Sequence, residues 1–215
     1  MNHKAWMIIG VLSGLLAAPS PSAAQIVGCL HSAKPVDLRA TDIGGYIGLY
    51  DGAGSEDMPI AIFGQIRHGL FAAGDGGLKF GLADSDAGGD DVGLVLAADM
   101  QWALLAPRWG DPFWLSVGPE ITLNDGDGAR VWSFGGNITG AHDLLIRATK
   151  ITIYGRLNLR LETIDYDHKN HSSDTDLEIG FNPGFIWRAT DFMDFVGEIQ
   201  LDDQVGILAG INFRM

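Results

Sequence analysis

Lys150-Ile151-Thr152-Ile153-Tyr154-Gly155-Arg156-Leu157-Asn158-Leu159-Arg160-Leu161-Glu162 decides how this chain folds. Ile151, Ile153, Gly155, Leu157, Leu159 and Leu161 fall on one side of an extended backbone, and Lys150, Thr152, Tyr154, Arg156, Asn158, Arg160 and Glu162 on the other. A helix would place its apolar residues at steps of three and four; here the step is two. The stretch is therefore a two-faced strand of a dozen or more residues. Ordinary strands run to about five or six, whereas a tilted strand crossing hydrocarbon needs about 9 to 11.

Working outward, the same period recurs. Val92, Leu94, Leu96, Ala98, Met100, Trp102 and Leu104 share a face, as do Ile60, Ile62 and Ile66; Leu78, Phe80 and Leu82; Phe113, Leu115, Val117, Ile121 and Leu123; and Leu177, Ile179, Phe181, Phe185 and Trp187. Gly, Asp, Asn and Pro at 51–59, 74–77, 84–91, 106–112, 124–129, 165–175, 189–192 and 202–203 supply turns between them. The count is about ten strands, or eight if 70–84 is one short hairpin arm and 141–149 adds none. No stretch after the first two dozen residues has 18 uninterrupted apolar residues, which excludes a multi-helix membrane protein.

Composition agrees. The 215 residues are 47% hydrophobic and 19% charged, with 30 Gly and one Cys. This excludes a disordered tail, a collagen and a disulfide-stapled mini-protein. A net charge of -13 repels nucleic acid.

The beginning of the chain is an address. Lys4 precedes the apolar run Ala5–Ala18, and Pro19-Ser20-Pro21-Ser22-Ala23-Ala24 ends in small residues at the positions a signal peptidase reads. The expected organisation is a cleaved signal peptide at 1–24, a periplasmic N-terminal segment at 25–42 and a barrel at 43–215. Ile26-Val27-Gly28-Cys29 spells a lipobox, but ten residues, Pro19 to Gly28, separate Cys29 from the apolar run, so Cys29 reads first as a free thiol and second as a lipidation site.

Alternation also suits a soluble lipocalin-like barrel with its apolar side inward. Three features favour the membrane: strand length; loops that gather more than half of the acidic residues at one rim while Trp102, Trp109, Trp114 and Trp187 cluster near the other; and the C-terminus. There, Val205, Ile207, Ala209, Ile211, Phe213 and Met215 form one apolar face. The ending Gly210-Ile211-Asn212-Phe213-Arg214-Met215 resembles the last strand of small bacterial outer-membrane β-barrels, the OmpA-like and porin-like transmembrane barrels. That resemblance implies an all-β, closed, antiparallel up-and-down barrel in the outer membrane of a Gram-negative-type bacterium. It implies an assembly signal carried by Gly206, Ile207, Ile211, Phe213 and Met215, and biogenesis through periplasmic chaperones and the barrel-assembly machinery. Members of the family usually end in an aromatic residue; here Met215 stands in that place, with Phe213 two positions earlier.

A closed barrel of this size has an interior about wide enough for side chains. Arg67, Lys79, Asp99, Glu120, Arg156, Arg160, Glu162, Glu178 and Glu198 fall on inward positions with both signs present, which points to a salt-bridged plug. The expected role is structural or surface interaction, in contact with outer-membrane lipid and lipopolysaccharide; the alternatives are a narrow channel and a soluble periplasmic binding barrel. The resembling family includes lipid A-modifying enzymes, and the one comparable cluster, His168-Lys169-Asn170-His171-Ser172-Ser173, is a polar loop that clamps a nucleophile poorly, so no enzyme is expected. His168 and His171 are weak metal candidates, and no cofactor is expected. The acidic rim, with Asp51, Glu56, Asp57, Asp84, Asp86, Asp90, Asp91, Asp125 and Asp127, would meet lipopolysaccharide phosphate through a bridging divalent cation or simply keep the loops soluble.

Overall fold

The computed structural model describes residues 30–50, 59–84, 92–126, 129–146, 149–166, 173–202 and 205–215. Ten strands follow one another: β1 Thr41–Tyr50, β2 Ile60–Phe71, β3 Gly74–Asp84, β4 Val92–Leu105, β5 Trp114–Gly126, β6 Ala129–Ile146, β7 Thr149–Tyr166, β8 Asp174–Arg188, β9 Met193–Leu201 and β10 Val205–Arg214. Each pairs antiparallel with its neighbours in sequence, and β1 pairs with β10, so the sheet closes on itself. The closing seam runs from Asp42 opposite Arg214 to Tyr50 opposite Gly206. Closure leaves no sheet edge along the wall, and each strand finds its backbone partners within the chain. The count of ten, the antiparallel order and the up-and-down topology match the expectation; the first strand starts at Thr41, two residues before the expected boundary.

The stretch that opened the reading is β7, with β6 on one side and β8 on the other. Leu157 stands opposite Ile138 and Phe181, and Arg156 opposite Thr139 and Asn182. Leu157, Leu159 and Leu161 are about half exposed, at 49%, 50% and 53%, while Arg156, Asn158 and Arg160 lie at 3%, 2% and 1%. Apolar side chains thus point away from the barrel axis and polar ones toward it, the reverse of a water-soluble barrel.

Two local readings differ from the structure. Gly74-Asp75-Gly76-Gly77, expected to form a turn, opens β3, and the turn is Ala72–Ala73. The glycines make room for side chains behind them: a Cβ at Gly77 would lie 2.6 Å from Arg67 Nη1. The segment before β1, read from the sequence as lying outside the barrel, runs inside it from Leu30 to Val36 and is exposed at Asp37–Arg39. Leu30 and Ala33 are fully buried, and His31 and Ser32 are 7% and 8% exposed. Leu38 pairs in parallel with Gly69, so the segment descends alongside β2 and then reverses into β1. The reversal is a turn in which the Ala40 N–H donates to Asp37 O at 2.9 Å and Arg39 adopts φ 66°, the left-handed third position that a type II turn requires.

Candidate functional site

Among the described residues, ionisable groups converge in the interior. Arg67 on β2 is its best-connected member. Its Nη2 donates to Asp75 Oδ1 at 2.5 Å, and its Nη1 donates to both Asp99 oxygens at 2.7 and 3.0 Å and to His31 Nδ1 at 3.1 Å. Asp75, fully buried, also accepts from Gln101 Nε2 at 3.1 Å and from the Val36 N–H at 2.6 Å. Ser116 Oγ donates in turn to Gln101 Oε1 at 3.2 Å. One chain of bonds therefore joins β2, β3, β4 and β5 to the segment threaded through the lumen. Burying charge is tolerated because each partner is hydrogen-bonded to an opposite charge or a dipole.

On the other side, Arg156 pairs with Glu120, both 3% exposed at the side chain. Arg160 donates from Nε to Glu162 at 3.2 Å and from Nη1 to Asp202 at 2.5 Å. Glu198 accepts the Tyr154 hydroxyl at 2.6 Å, the Asn182 amide at 3.1 Å and the Leu30 backbone N–H at 2.8 Å. Lys79 is buried and Glu178 half-buried, each with partners of its own. The structure thus brings all nine expected inward charges to the interior face. Asp75 was missed because its glycine-rich neighbours read as a turn, and Asp202, one residue past the end of β9, because 202–203 read as a turn as well.

The lumen is not ionic throughout. Tyr46, Tyr50, Phe63, Val95, Val196 and Leu208 form an inward apolar cluster that receives Leu30, and Ala103, Ala106, Trp114, Ala141 and Tyr154 form a second that receives Ala33. Cβ atoms at Gly48 and Gly206 would lie 2.8 and 2.7 Å from the Tyr50 ring, so glycine there gives the ring its place. Near the N-terminal end of β1, Lys150 pairs with Asp143 at 2.7 Å and Arg214 with Asp194 at 3.3 Å. A cavity of about 70 Å³ lies there between the threaded segment and the wall, with room for several waters.

The expected interface aromatics divide. Trp102, Trp109 and Trp187 are exposed on the outside, with Trp102 stacked on Phe71 and Trp187 on Phe195. Trp114 is a correction: it is 6% exposed and faces inward, its ring 5.7 Å from the Arg108 guanidinium. Position near a turn had suggested the interface, but its alternation with Leu115 puts the ring on the lumen side. Of the C-terminal residues, Ile207, Phe213 and Met215 are exposed on the outer face, Ile211 is partly so and Gly206 is buried. His168, His171, Cys29 and the rim acids Asp51, Glu56, Asp57, Asp86, Asp90, Asp91 and Asp127 lie outside the described residues.

His31 offers a pH test of the threaded segment. Burial first, and the Arg67 cation second, hold its imidazole well below its ordinary pKa, against a smaller opposing pull from Asp99; Lys79 and Arg156 add to the lowering. Released from the lumen, the ring would titrate near its usual value of about 6.5. A depressed pKa in the docked state means that docking is at full strength above that value and weakens as pH falls through it. Protection of the Leu30 and Val36 amides against hydrogen exchange, corrected for the intrinsic rate, is expected to fall between about pH 8 and about pH 5. Protection unchanged over that range would remove His31 as a determinant of docking.

No protein-family model matches the sequence, and no curated protein does. Solved structures similar in shape include the translocator domain of the autotransporter NalP from Neisseria meningitidis, at 10% identity and TM-score 0.47, covering 99% of this chain and 96% of that one. The N-terminal β-barrel domain of Pseudomonas aeruginosa OprF matches at 10% identity and TM-score 0.38 over 83% and 98% of the two chains. Ail, the attachment invasion locus protein of Yersinia pestis, matches at 10% and 0.37 over 84% and 100%.

Proposed function

We propose that this chain is an integral outer-membrane β-barrel with a structural or surface-interaction role, without catalysis, and with its lumen closed at rest. One observation supports this above the others: a belt of large apolar residues faces outward round the cylinder. Ile62, Leu78, Phe80, Leu82, Phe134 and Ile207 are 53–63% exposed on the outside, while Arg67, Lys79, Glu120, Arg156 and Glu198 are 2–5% exposed within. Monomeric soluble proteins rarely expose contiguous apolar patches beyond a few hundred Å². In hydrocarbon the same belt is solvated by lipid tails, and the closed ladder leaves the backbone with nothing to ask of them.

An even number of strands puts both ends of the barrel on one side, here taken as periplasmic, with the acidic loops outside facing lipopolysaccharide. The last strand, with Ile207, Ile211, Phe213 and Met215 on its outer side, is the one offered to the assembly machinery. The test is migration on a gel after membrane extraction. A folded membrane barrel runs at one position unheated and at another after boiling, and stays with the membrane fraction. Release into osmotic shock fluid, with no shift on heating, would overturn the reading.

A further inference from the structure

The closed lumen raises the question of what closes it. The wall's own bonds described above join strands that are adjacent or two apart: Arg67 with Asp75 and Asp99 across β2, β3 and β4, Arg156 with Glu120 across β7 and β5, Tyr154 with Glu198 across β7 and β9. Such bonds hug the wall. The segment Leu30–Val36 instead joins opposite sides. Its Leu30 N–H bonds to Glu198 on β9, its His31 to Arg67 on β2 and its Val36 N–H to Asp75 on β3. Leu30 packs among residues of β1, β2, β4, β9 and β10, and Ala33 packs against Trp114, Ala141 and Tyr154 of β5, β6 and β7.

From this we infer that Leu30–Asp37 is a removable stopper, and that the barrel with the stopper withdrawn conducts inorganic ions and small hydrophilic solutes. The inference rests on the membrane-barrel reading above and adds an activity to it. The segment's hold differs in kind from that of the wall. The wall strands are joined by antiparallel ladders of six to eighteen registered pairs, whereas Leu30–Asp37 contributes no registered strand pair and is held by side-chain contacts, among them those at the Leu30 and Val36 N–H groups and the His31 imidazole. Withdrawal therefore breaks side-chain contacts without opening the cylinder. The lumen behind it is polar: Gln65 Oε1, Glu120 Oε1, Thr139 Oγ1, Asn182 Oδ1, Arg67 Nε and Arg156 Nε are buried with no hydrogen-bond partner among the described residues, and such groups take water once a path opens to them. The turn at Asp37–Ala40 and the Leu38–Gly69 bridge keep the segment tethered at the mouth, where it can return.

Single-channel recording in planar bilayers tests this, using the chain from Gln25 onward and the same chain lacking residues 30–37, each first shown to be a folded, vesicle-inserted barrel by its shift on heating. The expected result is silence from the full chain and steady ohmic steps from the deletion variant. A deletion variant that is folded, inserted and silent overturns the stopper, as does a full chain conducting at the same level. Should the deletion fail to fold, Leu30→Asp keeps every wall residue and sets a carboxylate against Glu198 in the apolar cluster; steps from that variant support the stopper, and silence from its folded form contradicts it. A full chain that neither inserts nor shifts on heating denies the membrane reading, an outcome distinct from a folded barrel that stays silent.

Discussion

Arg67→Met is expected to cost the folded barrel about 3 to 5 kcal/mol, the usual penalty when one partner of a buried ion pair is removed. Asp75 is fully buried and Asp99 is 8% exposed. Without the guanidinium, Asp99 loses its two closest bonds, and Asp75 is left with the Gln101 amide and the Val36 N–H. Two carboxylates in a narrow lumen must then take up protons or water, or repel each other. The loss appears as a lower urea midpoint for unfolding from vesicles, with little change in slope. Changing Asp75 and Asp99 to Asn in the same variant should recover most of it, because neutral groups carry no charge to compensate. The rim pair Arg130–Asp125, whose side chains are 52% and 41% exposed, sets the contrast: Arg130→Ala should change stability by under about 1 kcal/mol. Equal effects at Arg67 and Arg130 would mean that the lumen is solvated like a surface.

Leu157→Arg separates the membrane account from any soluble one. Leu157 is 49% exposed on the outer face, midway along β7, between Ile138 and Phe181. In water, an arginine there would change stability by no more than about 0.5 kcal/mol, as surface substitutions usually do. At the middle of a bilayer it costs about 2 to 4 kcal/mol, falling toward 0 to 1 near the interfaces. Arginine at Thr163, further along the same strand face, should accordingly be tolerated better. A flat response along this face would count against lipid contact.

The barrel was legible because alternation survives wherever one face meets lipid and the other a polar interior: shifting a strand by one residue would turn Arg156 and Arg160 into hydrocarbon. A strand number of about ten followed from that pattern and from turn residues, and closure into an antiparallel up-and-down barrel from the resemblance carried by the last strand. What escaped reading has physical causes. Gly74–Gly77 looked like a turn because glycine serves both turns and crowded walls; only the position of the Arg67 side chain distinguishes them. Trp114 looked interfacial because nearness to a chain reversal does not say which way a ring points. The inward cluster of Tyr46, Tyr50, Phe63 and Leu208 was hidden because those residues share the polar face of their strands, and apolar residues there break the rule that revealed the rest. The threaded segment Leu30–Asp37 has no period, and its place depends on contacts with β2, β3 and β9 that are distant in sequence.

The central claim is that hydrocarbon surrounds this cylinder and the charges lie within it. Nitroxide labels placed one at a time at positions 155 to 161 in a Cys29→Ser background, with the barrel in vesicles, measure it directly through collision with dissolved oxygen, which concentrates in lipid, and with a water-soluble nickel chelate. High oxygen and low chelate accessibility at 155, 157, 159 and 161, alternating with low oxygen accessibility at 156, 158 and 160, is the predicted pattern. Chelate accessibility at Leu157 and Leu159, or an absence of alternation along β7, would contradict it.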